Sequence, residues 1–146
     1  MSVNDDHDRK YLRSIGGLSK ITCLLCGFIG FLCIVCSSVR LSNFRGCFYM
    51  IVALLGCLTT LTLLVCRYLR LGQSWSWSCD ATLWSLGVHA TLALAHFIAS
   101  GMVLALDIGA YTAAAFFGLT VFSINALEAY ACYKRSRQRH VATQTV

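Results

Sequence analysis

Residues 46–66 read GCFYMIVALLGCLTTLTLLVC, twenty-one residues without a charge between Arg45 and Arg67. At about 1.5 Å per residue, a helix of that length crosses a hydrocarbon core of roughly 30 Å. The pattern recurs along the chain. Nineteen uncharged residues separate Lys20 from Arg40, and twenty-six separate Asp80 from Asp107. A fourth apolar run leads from Asp107 past Glu128 to Tyr133. A helix of a soluble bundle needs a charged stripe on its solvent side, and none of the four runs carries one. Composition agrees: 58% of the 146 residues are hydrophobic and 12% are charged, against about 25% charged in ordinary soluble domains.

These runs predict an all-α membrane protein, an antiparallel four-helix transmembrane bundle with spans at about 21–39, 46–66, 81–105 and 109–132. Residues 1–20 then form an N-terminal tail, 21–133 the bundle, and 134–146 a basic C-terminal tail. The first apolar run follows twenty polar and charged residues and is longer than a cleavable signal core, so it reads as a retained signal anchor. Lys and Arg set the orientation. Arg9, Lys10, Arg13, Lys20, Arg67, Arg70, Lys134, Arg135, Arg137 and Arg139 fall on one face, and Arg40 and Arg45 on the other. Both termini are therefore expected in the cytoplasm. Trp75, Trp77 and Trp84, with Tyr68, Tyr130 and Tyr133, sit at the same depth as an interfacial aromatic belt.

The nine cysteines include two Cys-x-x-Cys pairs, Cys23–Cys26 and Cys33–Cys36. A helix forced to satisfy its own backbone in lipid spreads these four sulfurs over about 140° and 20 Å, too far apart to share one metal ion. Neither a metal site nor a cofactor is expected. Cys33-Ile-Val-Cys36 is similar to the motif of the vitamin K epoxide reductases. That family carries it on the last span beside a long lumenal loop, whereas here it adjoins a loop of six residues, across which Cys36 could pair with Cys47. Most of the cysteines read as small apolar fillers. Cys23, Cys66, Cys79 and Cys132 fall near the cytoplasmic boundary and are candidate lipidation sites.

Ionisable groups inside a span are functional hypotheses by default. His89 and His96 are seven residues apart on span three, and Ser85 and Ser100 extend their stripe. Span four carries Asn125 and Glu128 on the face that shows Ala110, Ala114 and Gly118. His89 and Asn125 each lie about 12 Å inside the boundary, on helices that must be antiparallel neighbours. The expectation is an interhelical polar clamp of His89 with Asn125 or Glu128, made possible by the small residues that let the backbones approach. Pairing of Glu128 with Lys134 or Arg135 by snorkelling is the alternative. A proton or ion path would need ionisable groups through the full thickness, and the outer half of span four offers only Thr112, Thr120 and Ser123.

The formal charge of +6 is read as contact with anionic lipid, with no role in nucleic-acid binding. Lys134, Arg135, Arg137 and Arg139 follow the last span directly, where each charge near an anionic leaflet contributes about 1 kcal/mol. Val65–Arg70 and Leu127–Lys134 fit the loose cholesterol-contact pattern. Thr143-Gln-Thr-Val146 is similar to a PDZ ligand, with Gln144 where the commonest class has Ser or Thr.

Four close spans, tiny outer loops and a last span reading Ala113-Ala-Ala-Phe-Phe-Gly118, Asn125-Ala-Leu-Glu-Ala-Tyr130 and Lys134-Arg135 resemble the MARVEL-domain family, nearest its chemokine-like-factor branch. The resemblance covers residues 20 to 135. It implies a non-enzymatic organiser of vesicle traffic, membrane apposition, or sorting and chaperoning of other membrane proteins. Its partners would be membrane lipids, cholesterol among them, other membrane proteins and further copies of itself. The location implied is the plasma membrane or secretory and endosomal vesicles. The alternatives are a small proton- or ion-coupled transporter and a membrane thiol oxidoreductase using Cys33 and Cys36.

Overall fold

The computed structural model describes residues 15–37, 43–68 and 80–144, and four helices lie within them: α1 (Ile15–Val35), α2 (Phe44–Tyr68), α3 (Asp80–Leu104) and α4 (Gly109–Gln144). Each is long and apolar enough to cross a membrane. In lipid a backbone amide has no water to bond, so a proline-free apolar stretch of this length has helix as its stable form. Each helix packs on its chain neighbour, and α4 closes the ring by packing on α1. The facing residues run antiparallel. Gly27 meets Cys57 and Gly30 meets Tyr49 between α1 and α2, while Ser100 meets Gly118 and His89 meets Asn125 between α3 and α4.

The starts of α1 and α3 and the end of α2 share one end of the bundle with the C-terminal part of α4; this is the terminal end. The opposite, turn end holds the connection between α3 and α4. There Ala105 and Leu106 bond back to Gly101 and Val103, and Asp107 takes a positive φ of 51°. Asp is among the few residues that adopt the left-handed region at small cost, so it can reverse the chain where glycine is usual. At the start of α2, Asn43 accepts from the Arg45 amide at 3.2 Å, the N-cap arrangement that satisfies an orphan donor.

Three boundaries differ from those read in the sequence, the first being the end of α1, which lies at Val35 and not near residue 39. α1 begins by Ile15, so residues 15–20, assigned to the tail, are helical and Lys20 lies inside the span Gly16–Val35. The apolar Ile15-Gly-Gly-Leu18 ahead of Lys20 extends the hydrophobic surface upstream, and a single buried lysine does not end it. α4 runs unbroken to Gln144 because residues 134–144 contain no Gly or Pro and are rich in helix-forming Lys, Arg and Gln. Its 36 residues correspond to about 54 Å, well beyond a hydrocarbon core of roughly 30 Å. Trp75, Trp77, Arg40, Arg70 and Cys79 lie outside the described residues.

The bundle wears its large apolar side chains outward. Leu25, Phe28, Leu54, Leu58, Leu94, Phe97 and Phe116 are all exposed. Inside are small residues, polar groups and a few larger side chains. The apolar core gathers Ile34, Tyr49, Ala53, Ala99, Val103, Tyr111, Ala114 and Ala115, all toward the turn end. The outward hydroxyls are satisfied within their own helices: Thr59, Thr62, Thr112, Thr120 and Ser123 each donate to the carbonyl four residues earlier.

Candidate functional site

Toward the terminal end the interior is polar, and three helices contribute to it. His89 on α3 is 5% exposed and Asn125 on α4 is 3% exposed. Their side chains meet with His89 Nδ1 at 2.9 Å from Asn125 Oδ1. Asn125 Nδ2 donates to the Val121 carbonyl at 2.9 Å and points to Cys23 Sγ at 3.7 Å. That fixes the amide: its nitrogen must face the carbonyl, so its oxygen faces His89. The ring therefore donates through Nδ1, and its Nε2 lone pair is left to accept. Lys20 Nζ lies 3.3 Å from that Nε2. A chain of side-chain hydrogen bonds thus runs from α1 through α3 to α4.

Glu128 takes a different partner. It accepts from Ser19 Oγ at 2.8 Å, bonding α4 to α1 beside Lys20. Three residues past Asn125 on the same helix, it is turned by about 60° from the amide and so faces α1 instead of His89. The structure thus brings His89 and Asn125 together, while Glu128 stands one step aside on Ser19. One turn nearer the terminal end, Ser85 Oγ and Cys132 Sγ are 3.6 Å apart and extend the α3–α4 contact.

His96 belongs to neither group. It is buried, donates from Nδ1 to its own helix at the Leu92 carbonyl (2.9 Å), and seats its ring against Gly56 of α2. A Cβ at position 56 would meet His96 Cε1 at 2.5 Å, so glycine is what lets the ring lie there. Ser100, the far end of the same stripe, is buried with its Oγ facing Gly118.

The small stripe on α4 works at the turn end. Ala114 and Gly118 are buried and Ala110 is half-buried. Tyr49 Oη, from the diagonally opposite helix α2, donates to the Ala114 carbonyl at 2.6 Å. A Cβ on Gly118 would press on Ser100 Oγ and lie 3.0 Å from the Tyr49 ring. Nothing in the local sequence pattern marks Tyr49 as special. Its hydroxyl finds a partner only because α4 is lined by small residues.

Burial divides the candidate lipidation sites. Cys23 and Cys132 are 6% and 8% exposed and pack within the bundle, which places their thiols out of reach of an acylating enzyme. Cys66 is exposed, and Cys79 lies outside the described residues. Cys36 carries a free thiol, so the bridge to Cys47 is not formed. Among the described residues, no three His, Cys, Asp or Glu side chains are grouped to hold a metal ion. Lys134, Arg135 and Arg137 are exposed along the C-terminal extension of α4, and Arg139 lies on the same helix.

The cluster has the chemistry of a fastener. Each of its groups is a donor or acceptor that lipid cannot satisfy, and each finds its partner on another helix. Sequence reasoning finds His89, Asn125 and Glu128 by their depth in the spans. It misses Lys20 and Ser19, for which the upstream apolar residues of α1 are the available signal. No protein-family model, curated protein or solved structure matches the chain.

Proposed function

We propose that the chain is a non-enzymatic multi-pass membrane organiser, acting in vesicle traffic, membrane apposition, or the sorting and chaperoning of other membrane proteins. The observation that carries this reading is the partition of its side chains. The interior combines small residues and a few buried Tyr, Ile and Val side chains with a cluster of polar groups bonded across helices, and large apolar groups from all four helices face outward. The working surface is then the exterior, which offers lipid, cholesterol, partner spans or a second copy a rough apolar face. The sequence resemblance to MARVEL-domain proteins supports the same reading. The excess of Lys and Arg near the termini supports cytoplasmic ends, in the plasma membrane or in secretory and endosomal vesicles. Exposed Cys66, beside Arg67, is the acylation candidate on this surface.

A second reading rests on the Lys20–His89–Asn125 chain itself. Hydrogen-bonded ionisable groups inside a span are the parts from which proton-coupled transporters are made. The two readings separate in one pair of experiments. Proximity labelling from the C-terminus in cells is expected to return a consistent set of membrane proteins from one compartment. Outward substitutions such as Phe97→Ala with Phe116→Ala should deplete that set while the fold is retained. A pH-driven flux in liposomes that Glu128→Gln or Lys20→Met abolishes, with labelling unchanged by the outward substitutions, would instead establish the transporter.

A further inference from the structure

Past Glu128 the chain contains no acidic residue, and α4 continues as a basic helix. Tyr130, Tyr133, Lys134, Arg137 and Gln138 line a shallow, open hollow of about 410 Å³ along one side of α4. The spacing of Tyr130, Tyr133, Lys134 and Arg137 places all four on one side of the helix. Arg135 is equally exposed and lies between two lining residues in sequence, yet it is not part of the hollow.

We propose that this hollow binds the phosphorylated headgroup of an anionic phospholipid. Lys134 and Arg137 hold a phosphomonoester, the guanidinium through paired N–H donors and the lysine as a point charge. The Gln138 amide offers a further donor. Tyr130 and Tyr133, 66% and 53% exposed, lie on the membrane side of the two charges and pack along the glycerol and upper acyl chain. The occupant is a lipid because the hollow straddles the edge of the apolar span. The lining residues occupy the last turns of the candidate span Gly109–Gln138, with the two phenols on the apolar side of the two cations in sequence. An acidic peptide would match the charges and leave the rings without a neighbour. The proposal rests on insertion of α4 in a bilayer and not on the organiser reading, and it holds whichever leaflet this end faces.

The test uses the full-length protein in phosphatidylcholine nanodiscs, with binding of labelled phosphatidylinositol bisphosphate as the readout. Arg135→Gln removes one charge from the same turn and reports diffuse attraction alone, about fivefold at most. Arg137→Gln is expected to weaken binding by about a further tenfold, the loss of one charge-assisted bidentate contact. Lys134→Gln should exceed Arg135→Gln in the same direction. All three positions are exposed, and unchanged melting of each variant confirms that the fold is intact. Equal losses for Arg135→Gln and Arg137→Gln would overturn the site in favour of diffuse charge. Soluble inositol trisphosphate binding as tightly as the lipid would overturn the lipid as occupant. Phosphatidylserine at matched total charge binding equally well would overturn the phosphomonoester. None of these outcomes bears on partner capture, so failure here leaves the organiser reading to its own test.

Discussion

The two ends of this bundle cross the same four-helix interior by different means. Toward the turn end the diagonal is closed mainly by shape, with a single hydrogen bond. Tyr49 reaches from α2 to the Ala114 carbonyl, and Gly118 makes room for the Tyr49 ring and Ser100. Toward the terminal end the diagonal is closed by polarity, with Lys20 of α1 meeting His89 of α3 and His89 passing the bond to Asn125. At one end the surroundings are Ala99, Val103, Tyr111 and Ala115; at the other they are Ser19, Cys23, Ser85 and Glu128. The lesson concerns helix association in lipid. With no hydrophobic drive between spans, close approach and hydrogen bonding are the two terms available; close approach leads at the turn end, with Tyr49 adding one bond, and hydrogen bonding leads at the terminal end.

The contrast breaks most readily at the turn end. Gly118→Leu forces a side chain into the space held by Ser100 and Tyr49, and an overpacked core of this kind loses about 3 kcal/mol. Gly101→Leu on α3 meets open space and should change stability by less than about 0.5 kcal/mol. Reversible unfolding of both variants in one detergent compares them directly. A Gly118→Leu protein as stable as Gly101→Leu would mean that the turn end is not close-packed.

Next in size are the polar substitutions. His89→Leu and Asn125→Leu should each cost about 1–2 kcal/mol, since each leaves a buried partner unsatisfied. The double variant should lose less than the sum, with a coupling of about 0.6–1.7 kcal/mol, the span observed for interhelical bonds. Additive losses would place the two side chains out of contact. Glu128→Leu combined with His89→Leu should be additive, because Glu128 bonds to Ser19.

Tyr49→Phe removes one hydrogen bond and keeps the ring, so about 1 kcal/mol is expected in the same unfolding assay. The smallest effects belong to two hydroxyls of the turn end. Ser100 Oγ and Tyr111 Oη are buried and find no hydrogen-bond partner among the described residues. Removing an unsatisfied group relieves its desolvation cost, so Ser100→Ala and Tyr111→Phe should be neutral or slightly stabilising. A loss above about 1 kcal/mol in either would show that this hydroxyl is hydrogen-bonded in the folded protein.

Hydropathy carries most of the fold. Three charge-free runs and a fourth interrupted only by Glu128 mark four spans whatever their side chains do, so the number and class of helices are legible in the residues alone. His89 and Asn125 are legible too, because polar groups deep in a span have few places to go and antiparallel register sets their depth. Lys20 is not. A lysine at the border of an apolar run reads as a flanking charge, and its inward turn depends on an imidazole 69 residues later in the chain. Glu128 reads at the right depth but with the wrong partner, since depth does not specify rotation. Tyr49 is invisible for a further reason: its acceptor is a backbone carbonyl, and every residue of α4 offers one. Cys23 and Cys132 show the same limit, lying near the boundary in sequence while facing the interior in space.

The interior chain Lys20–His89–Asn125 can be tested most directly on the imidazole itself. Nitrogen-15 NMR of ring-labelled protein in bilayers, with His89 assigned by its loss in His89→Leu, reports which nitrogen carries the proton. Donation to Asn125 and acceptance from Lys20 require a neutral ring protonated at Nδ1, the less common tautomer in water. Lys20→Met should shift the Nε2 signal by removing its donor while the proton stays on Nδ1, where Asn125 still accepts. A neutral His89 protonated at Nε2, or a ring whose signals ignore the loss of Lys20, would contradict the chain.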